Sequence, residues 1–108
     1  MDIFDITDRQ SFLKLEILGS LRTVMDPEMG INIVDMGLVY SIRIEQQSIA
    51  IAMTLSSSHC PMGEAIVRSV QNTMQHYYAQ YQTTVNLVWE PVWSLEQISE
   101  EGRKQLGL

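Results

Sequence analysis

The residues best suited to chemistry in this 108-residue chain gather around one sulfur. Cys60 is the only cysteine, and it stands between His59 and Pro61 in "TLSSSHCPMGEAI", Thr54 to Ile66. An isolated cysteine is either a small buried filler or a reactive group, because the thiolate is both a nucleophile and a soft metal ligand. The local pattern favours reactivity. Polar "SSSH" precedes the sulfur, and a helical pattern begins at Pro61. Proline is favoured at the first residue of a helix, where its missing N–H would lack a partner anyway. That spacing predicts Cys60 at the N-cap, facing free backbone N–H groups and the positive end of the helix dipole. Both stabilise a thiolate. His59 would add positive charge when protonated, although neighbours at a strand-to-helix turn often point apart.

A second set of candidates lies upstream. Asp26, Glu28 and Asp35 occupy "DPEMGINIVDMG", a loop with Pro27, Gly30 and Gly37. Asp-Pro starts turns readily, so turn and cap chemistry is the plain reading of these carboxylates, with a functional role as the alternative. His76, in the polar stretch "NTMQHYY", reads as a surface residue. Trp89 and Trp93 flank "EPV" and read as packing of the C-terminal tail onto a sheet.

The elements that must position these residues follow from periodicity. Thr7 and Gln10 have capping-box spacing. Leu13, Ile17, Leu18, Leu21 and Met25 then follow helical spacing, and the helix is expected to stop at Asp26, before a proline. Leu38, Tyr40, Ile42 and Ile44 alternate with Val39, Ser41, Arg43 and Glu45, as do Ile49, Ile51, Met53 and Leu55 with small residues. The two runs predict an antiparallel hairpin turning at Gln46 and Gln47. Met62, Ile66, Val70, Met74 and Tyr77 form a helical stripe, and Val85, Leu87 and Trp89 mark one face of a third strand. Ser94 with Gln97 repeats the capping-box spacing. Ser99 starts a short helix with Glu100 and Glu101 near its N-terminus, Arg103 and Lys104 near its C-terminus and Gly107 as its stop. The predicted order is α-β-β-α-β-α. The helix between strands two and three makes them parallel, so the expected fold is an α/β (α+β) two-layer sandwich, a small three-stranded mixed sheet covered by helices.

Bulk composition bounds the function. One domain spanning residues 1–108 fits the length, and 45 % hydrophobic residues suffice for a core. The net charge of -6, with seven scattered basic residues, argues against a nucleic-acid partner. No run approaches the roughly 18 apolar residues of a membrane span. The acidic start "MDIFDITDRQ" does not resemble a signal peptide. A lone cysteine makes no internal disulfide, so a reduced thiol in the cytoplasm is the expectation.

Four segments, "DPEMGINIVDMGLVYSIRI", "MTLSSSHCPMGEAI", "VNLVWEPVWS" and "ISEEGRKQLG", occur in this order across Leu13 to Gly107. Together they resemble the PaaD/SufT-like metal–sulfur cluster assembly family, in the iron–sulfur cluster assembly domain superfamily. The resemblance implies a small α/β domain that helps mature iron–sulfur proteins beside other assembly factors and client apoproteins. It makes Cys60 the central residue and points to Asp26, Glu28, Asp35 and Thr54 as its support. Relatives often carry Thr, Pro or Gly before the Cys-Pro pair, where this chain has "SSSH". Another branch serves a ring-oxidising monooxygenase system as an adaptor, often with extra cysteines that this chain lacks.

One thiol limits the mechanism, since an iron–sulfur cluster ordinarily takes four protein thiolates. Three routes remain. A homodimer bridges a transient cluster, or Cys60 gives one ligand to a cluster or iron shared with a partner, or the thiol exchanges sulfur without metal. The carboxylates would then be hard iron ligands or would orient the site. A thiol enzyme with Cys60 as nucleophile and His59 as base is the competing reading, but it lacks a third orienting group. A pure adaptor, in which Cys60 is incidental, is the other.

Overall fold

The computed structural model describes residues 9–57 and 62–108. Six principal elements appear in the predicted order: α1 (Arg9–Leu21), β1 (Val39–Glu45), β2 (Ser48–Met53), α2 (Gly63–Tyr77), β3 (Gln82–Leu87) and α3 (Glu100–Leu106). A single 3-10 turn, Leu95–Gln97, precedes α3.

The sheet order is β1-β2-β3, with β1 antiparallel and β3 parallel to β2. The hairpin turns at Gln46, which adopts a φ of 45°. The period-two alternation sends Ile42, Ile44, Ile49, Ile51 and Met53 to one face. There they join Ile17, Leu18 and Leu21 of α1 and Ile66, Val70 and Met74 of α2 in one buried cluster. The opposite sheet face carries exposed Ser41, Arg43, Thr84 and Asn86 around half-buried Ala50 and Ala52. The mixed two-layer arrangement is therefore the one the periodicity predicts. Among the described residues, no helix is long and apolar enough to cross a membrane.

Four local expectations change. The first helix ends at Leu21 rather than Asp26. Thr23 Oγ1 takes the Ser20 carbonyl at 2.7 Å, and beyond it the chain straightens to pair with residues 31–33. Asp26 N–H then donates to Ile31 O at 2.8 Å, while Ile33 N–H donates to Val24 O at 2.9 Å. Thr7 lies outside the described residues, and Gln10 Nε2 reaches across to Ile44 O at 3.1 Å.

The second helix starts at Gly63 with Met62 as its cap, and its first turn closes through Ile66 N–H to Met62 O. Cys60 is therefore two residues before the cap rather than at it. Gly63 permits this start because a Cβ there would lie 2.6 Å from Leu55 Cδ1. At the other end of α2, Tyr77 is exposed and Tyr78 is buried in its place. Tyr78 leaves helical geometry at a φ of -132°, which turns its ring inward so that its hydroxyl meets Ser20 Oγ at 3.1 Å. Finally, of the three apolar residues assigned to one face of the third strand, only Val85 is half-buried. Leu87 and Trp89 are exposed.

Candidate functional site

Ser58, His59, Cys60 and Pro61 lie outside the described residues, so the candidate site is described by the residues on either side of them. Three clefts surround the two flanks. The largest, about 440 Å³, lies between the side of α2 (Gly63, Glu64, Val67, Arg68, Gln71) and Leu55, Leu87 and Trp89. A second, about 210 Å³, is lined by Thr54, Leu55, Ser56, Ser57, Trp89, Val92 and Trp93. The third, about 200 Å³, sets Met25 and Pro27 across from Met62, Ala65, Ile66 and Ser69. Ser57 and Met62, the last and first described residues around the gap, each line one of them.

Thr54 is fully buried at the end of β2, its N–H bonded to Leu38 O at 2.8 Å, and it forms part of the second cleft. The strand register thus delivers it close to the Ser57 flank. Asp26 is also fully buried, between Met25 and Pro27 of the third cleft. Its Oδ1 accepts the N–H groups of Glu28 at 2.8 Å and Met29 at 3.1 Å. Its carboxylate therefore organises its own loop, as turn chemistry predicts. Glu28 is exposed on that loop.

Asp35 sits elsewhere. Its Oδ2 accepts Asn32 Nδ2 at 2.7 Å and its Oδ1 accepts the Ser99 hydroxyl at 2.8 Å. Its main-chain carbonyl accepts Ser99 N–H at 2.8 Å. Ser99 Oγ in turn caps α3 by accepting Gly102 N–H at 3.0 Å. Gly102 is required for this approach, because a Cβ there would stand 2.8 Å from Ile98 Cγ2 and 3.1 Å from Asp35 O. Asp35 therefore joins the loop to the C-terminal helix. Its influence on the clefts is indirect: the carbonyl of the next residue, Met36, accepts the Trp93 Nε1–H at 2.7 Å, and Trp93 walls the second cleft.

The C-terminal tail contributes more than packing. Trp93 packs on the core as expected, while Trp89 stays 44 % exposed and lines both larger clefts. Tyr40 holds the tail over the end of the sheet, donating to Pro91 O at 2.8 Å and accepting Gln97 Nε2 at 3.0 Å. Packing, expected of both tryptophans from the sequence, describes Trp93 and misses this cleft-forming role of Trp89. Among the described residues, no three His, Cys, Asp or Glu side chains are grouped to hold a metal ion. Asp26, Glu28 and Asp35 do not form such a group.

With this geometry in hand, likeness to known proteins becomes informative. Residues 14–87 match the family described as "Iron-sulfur cluster assembly protein". The chain belongs to that family. It is 36 % identical over 97 residues to the Fe-S protein maturation auxiliary factor YitW of Bacillus subtilis, covering 89 % of this chain and 95 % of the relative. It is 37 % identical over 86 residues to the Fe-S protein maturation auxiliary factor SufT of Staphylococcus aureus, covering 79 % of this chain and 98 % of that protein. A domain of unknown function from Bacillus anthracis, solved by crystallography, superposes with a TM-score of 0.82 at 34 % identity, covering 87 % and 91 % of the two chains. Family and fold thus agree with the resemblance read from the sequence.

Proposed function

We propose that this chain is an accessory factor in iron–sulfur protein maturation, working through Cys60 together with partner proteins. Family membership carries this reading, since relatives similar over nearly their whole length are named as maturation auxiliary factors. The three clefts around the flanks of residues 58–61 support a working surface at that place. In this reading the cluster is cargo. One chain offers one thiolate where a cluster ordinarily takes four, so a client, an assembly protein, a small thiol or a second copy supplies the rest. Incomplete ligation suits a factor that must hand its cargo on. Thr54 lines the cleft that Ser57 lines, Asp26 holds the loop of the cleft that Met62 lines, and Asp35 positions Trp93 from behind. In this reading they support the work of Cys60, and His59 adds positive charge when protonated. The role is assembly rather than enzymatic turnover, and a reduced thiol fits the cytoplasm.

The test is Cys60→Ala in cells that depend on the pathway, with client-enzyme activity as the readout. The variant keeps its melting temperature and loses client activation. Full activation by a folded Cys60→Ala protein would remove the basis of the proposal. Anaerobic reconstitution with iron and sulfide, beside the same variant, then separates the routes. Iron bound only by the wild type indicates cluster or iron carriage, and iron bound by neither favours an adaptor or thiol-transfer role.

A further inference from the structure

The two edges of the sheet differ in how they are protected. Exposed edge strands invite pairing with other chains, and proteins ordinarily guard them with charges, proline or bulges. The β1 edge is guarded: its register shifts between Val39 and Ser41, and Arg43 and Glu45 add charge of both signs. The β3 edge, "QTTVNL", has no charge, no proline and an unbroken register with β2. Its middle is β-branched, Thr83, Thr84 and Val85, which favours strand geometry.

The direction of its free backbone groups follows from two hydrogen bonds. Gln82 N–H donates to Gln47 O and Val88 N–H donates to Met53 O, each at 2.8 Å. Strand alternation then turns the N–H groups of Thr83, Val85 and Leu87 away from β2, toward the open edge. Among the described residues, no main-chain group bonds β3 on that side. The tail that follows β3 crosses toward Tyr40 and Met36, on the β1 side, and leaves the edge uncovered. The largest cleft lies where this strand ends, with Leu87 and Trp89 on one wall and Glu64, Arg68 and Gln71 of α2 on the other. Among the described residues, Arg68 has no ion-pair partner.

We propose that β3 and the adjoining cleft form a strand-addition site, which accepts an extended, β-branched segment of a partner protein whose one charged group is a carboxylate opposite Arg68. Main-chain bonds to Thr83, Val85 and Leu87 supply affinity, the exposed Leu87 and Trp89 receive an apolar side chain, and the guanidinium takes the carboxylate in bidentate geometry. A second copy is the poorer occupant. Two six-residue edges pairing alone bury far less than the roughly 800 Å² per partner of a stable dimer. The inference rests on the maturation role for the nature of the partner, but its binding step does not use Cys60.

The probe is a synthetic heptapeptide of alternating threonine and valine ending in a free aspartate. It is titrated into isotopically labelled protein and read by amide shifts and hydrogen exchange. Thr83, Val85 and Leu87 shift and exchange more slowly with the peptide present, and an alternately N-methylated peptide has no effect. Leu87→Pro removes an outward N–H without touching the β2 ladder, a position where proline is tolerated. It weakens binding roughly tenfold relative to Leu87→Ala, which controls for the lost side chain. Cys60→Ala binds like the wild type, which keeps this result separate from the fate of the maturation proposal. The proposal is overturned if those three amides do not respond, if the N-methylated peptide binds equally, or if protein concentration alone protects them, which would assign the edge to a second copy.

Discussion

Asp35→Ala tests the reading of Asp35 as the tie between the loop and α3. The wild-type carboxylate is 8 % exposed and accepts two side-chain hydrogen bonds, from Asn32 Nδ2 at 2.7 Å and Ser99 Oγ at 2.8 Å. Bonds to a charged acceptor contribute about 1.5–3 kcal/mol each. Alanine forfeits both and leaves the buried Asn32 amide without that acceptor. Ser99 is half-buried, so water recovers part of its share. Arg22, at 3.9 Å and half in solvent, adds little. A net loss of about 3 kcal/mol follows, against a typical domain stability of about 5–15 kcal/mol. That loss lowers Tm by roughly 10–15 °C. The assay is urea unfolding followed by tryptophan fluorescence, with the midpoint falling and the slope unchanged. Because Trp93 is anchored to Met36 O, its emission in the folded state also shifts. A double-mutant cycle with Ser99→Ala isolates the pair, with a coupling of about 1 kcal/mol or more. A loss under 1 kcal/mol with no coupling would refute the tie, and Asp35 would then be free for direct work at the site.

Two further perturbations test the frame. Gly37 has a φ of 77° and its Cβ position collides with the Gln97 carbonyl, whereas Gly30 has a φ of 73° and open space around it. Gly30→Ala therefore costs about 1 kcal/mol from backbone conformation alone, and Gly37→Ala costs clearly more in the same denaturation assay. Equal losses would show that the contact with Gln97 is unimportant. Burial pushes the Tyr78 hydroxyl above its ordinary pKa, against a smaller lowering by its bond to Ser20. The unfolded chain then ionises first as pH rises, so stability is full below about pH 10 and is lost between that value and the higher pKa of the folded protein. Tyr78→Phe flattens this decline in an alkaline unfolding series, and an unchanged slope would count against the buried hydroxyl as its source.

The fold was legible because its signals are local and strong. Alternation at Leu38–Leu55 could not be mistaken for a helix, and the stripe Ile66, Val70 and Met74 fixed the face of α2. The short α3 could also be read, because its cap at Ser99 and its stop at Gly107 are chemical signals: Ser99 Oγ does accept Gly102 N–H, and Gly107 does adopt a φ of 76°. Boundaries were less visible. Pro61 suggested a helix start, but among the described residues the first intrahelical bond belongs to Met62, and no residue type distinguishes those alternatives. The role of Asp35 was hidden for a different reason. Its partner Ser99 is 64 residues away, and no periodicity reports a contact of that range. Gly37 read as an ordinary loop glycine and nothing in the sequence marked Gly102, yet the backbone of Gln97 and Asp35 stands against them.

These ties show what the carboxylates do in the frame. The carboxylates of Asp26 and Asp35 are engaged with the chain's own donors, which leaves them poorly suited to hold iron and well suited to hold loops. What they hold are walls of the clefts lined by Ser57 and Met62. Asp26 braces the side facing Met62, and Asp35, through Met36 and Trp93, braces the side facing Ser57. An assembly factor built this way would keep its frame fixed while the ligands of its cargo change. Loss of Asp35 should then weaken client activation through stability and the shape of the Trp93 wall, whereas loss of Cys60 should abolish it in a protein that is still fully folded. The two variants separate the frame from the chemistry, because only the first moves the unfolding midpoint.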